Sequence, residues 1–164
     1  MRRILYTTAH ALAETDVGYD LGRSTSNNLS FEEVLDERLV AELREASIGY
    51  GTTSGNASLR ATIASNVGIR PDNVLTTNGA IGALHLAVFC LCDRGDEVVT
   101  VTPGFPATFD IIQSLGAVQR TAAIDFDHGY VLDAERLASR LGARTRLVLL
   151  SSPNNPSGVR TPAE

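Results

Sequence analysis

The chain has 164 residues, of which 43% are hydrophobic and 20% charged, with a formal net charge of −5. That balance describes a soluble globular chain of one domain, long enough to bury roughly 70% of its unfolded surface. It argues against a nucleic-acid partner, since no basic cluster offsets the negative charge, and no apolar run approaches the length of a membrane span. All 14 basic residues are arginine; the chain contains no lysine.

Met1-Arg2-Arg3, followed by Ile4-Leu5-Tyr6, has a trace of a leader peptide, with Ala11-Leu12-Ala13 in the place of a cleavage site. Thr7, Thr8 and His10 interrupt its apolar core, so it is read as an ordinary cytosolic amino terminus. Residues 1–29 carry little periodicity and read as an arm. From Ser30 to Ala46 the pattern predicts one helix, with Ser30 and Glu33 as a capping box and Phe31, Val34, Leu35, Leu39 and Leu43 as a single apolar stripe. A loop from Ile48 to Gly55 carries Tyr50. A short helix follows over about 56–67, closed by Gly68, with Arg60 orienting the loop or facing solvent.

Val74 to Thr77 reads as a short β run, which Asn78-Gly79-Ala80-Ile81-Gly82 turns into a helix reaching about Cys92. That helix is apolar almost all round, which predicts burial on most faces. A strand, a glycine turn and a buried helix start together make a place for an anion, because free N–H groups and the helix dipole both favour negative charge. His85 reads as a helix-interior or interface residue. Cys90 and Cys92, two apart on a helix, point to different faces and cannot pair; they read as buried reduced thiols, and no metal-ligand set accompanies them.

An acidic turn, Gly95-Asp96-Glu97, feeds a buried strand at Val98–Val101, which ends in Thr102-Pro103-Gly104-Phe105-Pro106 before a helix from Ala107 to Leu115. A strand over 116–124, a turn at Asp125–Gly129, a helix capped by Asp133 and running to Gly142, and a strand at Leu147–Leu150 complete the series. Strands made of unbroken apolar runs that alternate with helices mean an α/β fold, three layers deep, with a mostly parallel sheet between helices. The last strand stops in Ser151-Ser152-Pro153-Asn154-Asn155-Pro156-Ser157-Gly158, at the carboxyl edge where open parallel sheets bind ligands. Taken alone, the octet is also what an ordinary polar turn contains.

The octet resembles the Asn-Pro-(Thr/Ser)-Gly signature of the class I/II aminotransferases, pyridoxal-phosphate enzymes of fold type I. Three upstream motifs stand in that family's order: the Tyr50 loop, the glycine turn at 79–81, and the acidic turn, strand and Pro103–Phe105. The resemblance implies that residues 30–164 are part of the large, cofactor-binding domain. It implies cofactor contacts from Tyr50, reaching the phosphate in a partner subunit; from Gly79, Ala80 and Ile81 on the phosphate; from Phe105 flat on the pyridine ring; and from Asn155 on the phenolic oxygen. The residues by themselves also allow Tyr50 to pack a loop and Phe105 to be a core side chain. At the third phosphate position the family usually has a hydroxyl or amide, whereas Ile81 can offer only its backbone.

Family chemistry needs a lysine that forms a Schiff base with the cofactor, and this chain has none. The resemblance therefore implies an incomplete aminotransferase, a cytoplasmic homodimer when full length, moving an amino group between an amino acid and a 2-oxo acid. No catalytic residue is assigned within these 164 residues. Two other readings stand beside it: another fold type I enzyme, such as a lyase, decarboxylase or synthase, and a non-catalytic short paralogue that binds or interacts. A nucleotide-binding α/β domain lacks its Gly-x-Gly-x-x-Gly fingerprint here.

Overall fold

The computed structural model describes residues 28–161. The amino-terminal arm, all but its last two residues, and the start of a further helix at Pro162 lie outside the described residues. The chain divides between Thr76 and Thr77 into two compact units.

In the first unit the capping box forms as expected. Ser30 Oγ accepts from the Glu33 N–H at 3.2 Å and Glu33 Oε2 accepts from the Ser30 N–H at 2.7 Å, which holds the Glu33 carboxyl below the ordinary carboxylate range. The single helix predicted over 30–46 is instead two: α1 (Phe31–Val34) and α2 (Glu37–Glu45). Asp36 is the reason. Its carboxylate takes the Leu39 N–H at 2.7 Å as a new N-cap, a job that suits a short acidic side chain better than a helix interior does. The break splits the apolar stripe, and Phe31 and Leu43 stay 83% and 60% exposed.

Helix α3 (Ala57–Val67) keeps its expected bounds: Asn56 accepts from the Leu59 N–H, and Gly68 closes the helix at φ 71°, where a side chain would be strained. Arg60 orients the following segment, donating from Nε to the Val74 carbonyl at 2.9 Å and from Nη2 to the Pro71 carbonyl at 2.8 Å. The β run expected at Val74–Thr77 is not a strand. A 3₁₀ turn at Pro71–Asn73 leads into extended backbone whose hydrogen bonds go to the Pro71 and Ser54 carbonyls, because no described strand lies alongside it to pair.

In the second unit, α4 (Gly79–Leu91) leads to β1 (Glu97–Thr102), α5 (Pro106–Ser114), β2 (Val118–Ala123), α6 (Ala134–Ala138) and β3 (Thr145–Leu149). The sheet is all parallel, in the order β2-β1-β3. Passing from β1 to β2 and then from β2 across to β3 reverses direction, so right-handed crossovers place α5 and α6 on opposite faces. This is the expected three-layer α/β arrangement.

β1 is central and buried on both faces, with Val98 and Val99 each 0% exposed. Val98 joins Val88 of α4 and Ile111 and Ile112 of α5 in the main core. Helix α6 stops well short of the expected Gly142; Asp133 does cap it, through the Glu135 N–H. Helix α4 also differs from expectation. Only Val88 is fully buried, while Ile81, Leu86, Phe89 and Leu91 are exposed, because the described residues cover one side of a helix that is apolar on every side. His85 stacks on Phe89 on that open side. Cys90 is exposed, contrary to the buried thiol expected, and Cys92 packs against the core, where burial pushes its thiol pKa up.

At the amino-terminal edge of the sheet, Glu97 ties the three strands together. The residue is 3% exposed, and its carboxylate accepts from Arg120 of β2 at 3.0 Å and from Arg144, just before β3, at 3.1 Å. The Arg120 guanidinium, helped by Arg144, holds the Glu97 carboxyl below the ordinary range. A carboxyl depressed by folding stabilises the fold above its unfolded pKa, about 4.3, and loses that effect as pH falls through the folded value. Urea midpoints measured against pH are therefore expected to favour the parent over Glu97→Gln at neutral pH, with the gap closing below about pH 4. A gap that is constant with pH would rule this out.

Candidate cofactor site

Parallel pairing brings the carboxyl ends of β1 and β3 to the same edge. There the turn after β1 swings through Pro103-Gly104-Phe105 into α5, whose first turn begins with Pro106, and the loop after β3 runs through Ser151 to Gly158. Between them lies a cavity of about 260 Å³, walled mainly by apolar side chains. Its size is just below the range of about 300–1,000 Å³ that small-molecule sites occupy, enough for a single substituted ring.

Phe105 and Asn155, fifty residues apart in the chain, both line this cavity. Phe105 is half-buried as the residue preceding α5, while Asn155 is exposed at the rim. Leu84 of α4 forms part of the wall, and Thr100 and Thr108 add hydroxyls. Gly79, Ala80 and Ile81 do not line it. They open α4 one turn before Leu84 and are exposed, with Gly79 at φ 71°. Asn78 precedes them without a capping side-chain bond, and the Gly79 N–H is given to the Thr77 carbonyl at 2.9 Å. Tyr50 belongs to the other unit and is fully exposed.

Two wall residues went unassigned in the sequence. Gly104 has no room for a side chain: a Cβ there would stand 2.6 Å from the Val101 carbonyl oxygen and 2.9 Å from Phe109 Cζ. A Pro-Gly pair at a strand end is the signal that marks such a turn. Asn154 is 6% exposed, and its side-chain Oδ1 has no hydrogen-bond partner among the described residues. The family signature picks out Asn155 and leaves Asn154 without a role; burial singles it out.

Nearby, Asp125 accepts from the side chain and backbone of His128 and from Arg136, contacts that hold its carboxyl below the ordinary range and fix the turn after β2. Among the described residues no cluster of three His, Cys, Asp or Glu side chains is placed to hold a metal, and no helix is long and apolar enough to cross a membrane.

Residues 20–164 match the family described as aminotransferase class I and II. The chain is 35% identical over 145 residues to capreomycidine synthase of Streptomyces vinaceus, covering 85% of this chain and 37% of that protein. It is 32% identical over 122 residues to a probable aspartate aminotransferase of Methanocaldococcus jannaschii, covering 71% and 32%. Among solved structures, a tetra mutant of Thermus thermophilus aspartate aminotransferase matches with a TM-score of 0.70 at 26% identity, over 77% of this chain and 36% of that one. The chain thus spans about a third of the length of these relatives.

The crowding at Gly104 leads to a stability expectation. Gly104→Ala must push against a backbone carbonyl that cannot swing aside, so it is expected to cost about 1–3 kcal/mol in urea unfolding. The same substitution at Gly129, where a Cβ meets nothing within 4 Å but φ is +62°, serves as a control for backbone strain alone and should cost about 1 kcal/mol.

Proposed function

Because the chain belongs to the class I and II aminotransferase family, we propose that it is the amino-terminal portion of a pyridoxal-phosphate-dependent aminotransferase and that the cavity between the β1 and β3 loops is its cofactor cradle. One observation carries this reading: Phe105 and Asn155 reach the same cavity from separate strands.

The side chains present fit a planar, phosphate-bearing ring. Phe105 offers an aromatic face, which holds a flat heterocycle without needing a hydrogen bond. Asn155 offers an amide N–H to a phenolic oxygen and would stabilise it as the anion. Gly79, Ala80 and Ile81 form the turn at the positive end of α4, where a phosphate is favoured; Ala80 and Ile81 offer backbone N–H groups there, while the Gly79 N–H is given to the Thr77 carbonyl. Ile81 adds no side-chain donor, so the grip on phosphate at this turn is made by backbone alone. Tyr50 is assigned to the phosphate bound in a second subunit of a homodimer.

The cofactor, when bound, supplies an electron sink for charge developing at the α-carbon of an amino acid. Around it, this chain's residues orient the ring and its phosphate. The amine that receives the cofactor is not among these residues, since the chain has no lysine, and we assign it to a part of the protein outside them. The substrates are an amino acid and a 2-oxo acid, and the setting is the cytoplasm. The synthase among the relatives favours one second reading, a ring-forming or other synthase that uses the same cradle.

The intact mass of the protein in its own source tests the reading. A mass far above 17.5 kDa, with amino-group transfer to a 2-oxo acid, is the expected result. A mass of 17.5 kDa would leave a non-catalytic binding protein instead. For the 164-residue chain itself, no transamination is expected. Titration with pyridoxamine 5′-phosphate, followed by its fluorescence, should show binding that Phe105→Ala weakens about fivefold. Unchanged affinity in that variant would remove Phe105 from the cradle.

A further inference from the structure

We propose that Asn154, and not only its neighbour Asn155, is a positioning residue of the site: its side-chain amide braces the β3 loop against the β1 turn and thereby sets the spacing between Phe105 and Asn155.

Asn154 is 94% removed from solvent in a loop whose neighbours on both sides are exposed. Its Nδ2 donates to the Pro103 carbonyl at 3.3 Å, across 51 residues of chain, and to Ser157 Oγ at 3.0 Å within its own loop. Its backbone is fixed as well: its N–H donates to the Val159 carbonyl at 2.8 Å, and its carbonyl accepts from the Gly158 N–H at 2.7 Å. Four bonds therefore hold one residue, and one of them crosses to the turn that carries Phe105. The β1–β3 ladder ends at Thr100 and Leu149, before either loop begins, so backbone pairing does not hold the two loops together.

The orientation of the amide follows from its partners. Turning it over would set Oδ1 against the Pro103 carbonyl oxygen, two acceptors facing each other, so the donor side must point across the gap. Oδ1 is left buried and unpartnered among the described residues, an unfavourable arrangement that is retained while the donor side makes the crossing bond. A residue whose only task was to fill space would have no need of an amide here, and leucine would fill the volume without an orphaned acceptor.

The loops' spacing can be tested without a ligand, so that this inference stands or falls separately from the cradle reading on which its functional meaning rests. In Asn154→Asp the volume is kept and the donor becomes an acceptor facing the Pro103 carbonyl. Hydrogen exchange on the ligand-free chain is expected to show protection falling about tenfold at Gly158, next to the change, and also at Thr108, whose N–H bonds the Phe105 carbonyl in the opposite turn. Amides at the opposite edge of the sheet, such as Val118, whose N–H bonds the Asp96 carbonyl, should keep theirs. Should the buried carboxylate unfold the unit, Asn154→Ser, with a donor too short to span the gap, gives the same comparison. Ser157→Ala, which leaves the crossing bond in place, should spare Thr108. Loss at Gly158 with full protection at Thr108 would overturn the brace whether or not any ligand binds. With pyridoxamine 5′-phosphate as probe, Asn154→Asp is expected to bind about tenfold more weakly. Unchanged affinity would show that the brace does not serve the site.

Discussion

The central strand β1 is the constraint on which the second unit depends. It pairs with a parallel neighbour on each side and is sealed on both faces, so Val98 and Val99 are both lost to solvent. Since its two neighbours run the same way, every strand ends at the same edge, and whatever follows β1 must meet whatever follows β3. The cavity is a result of that geometry rather than of any one residue. At the opposite edge the Glu97 carboxylate joins the same three strands through Arg120 and Arg144. The strands are thus fixed at one end by charge and released at the other to form loops.

How much of this was legible in the sequence depended on whether the deciding interaction was local. Caps are local, and Ser30 with Glu33, Gly68 and Asp133 all act where their chemistry predicts. The order and alternation of the elements at 98–150 were legible for a similar reason, as strand and helix periods are written in short windows. Coverage is not local. An apolar period says which sides of α4 avoid water but not which of them the rest of the chain will reach, and for that reason Leu86 and Phe89 are open where burial was expected. A β run needs a neighbour, so Val74–Thr77 carries a strand-like composition and no strand. Asp36 is a different case: it falls inside the single helix that the pattern predicts over 30–46, whereas its side chain starts a new helix.

The candidate site was legible through resemblance rather than through spacing. Phe105 and Asn155 were assigned by family motifs, and the structure brings both to one cavity. The motif could not identify Asn154, whose part is decided by a carbonyl 51 residues away. The arginines show a related limit. Counting 14 of them and no lysine said little about structure, yet at Arg60 the planar fork acts as a fastener, with Nε on the Val74 carbonyl and Nη2 on the Pro71 carbonyl. An ammonium group is a point charge on a flexible stem and does not present two donors at that fixed spacing.

The strand order has a consequence for how the unit assembles in time. β1 takes β2 as one neighbour after a single crossover, but its other neighbour begins only at Thr145, on the far side of two helices. Among the described residues both strand pairs are parallel and no hairpin offers a nucleus, so both contacts require large loops to close before they return any energy, which is the condition for slow folding. On a ribosome that makes the chain from its amino terminus, the middle strand waits with one side open until the last described strand emerges, and through that interval the unit is exposed to pairing with the wrong partner.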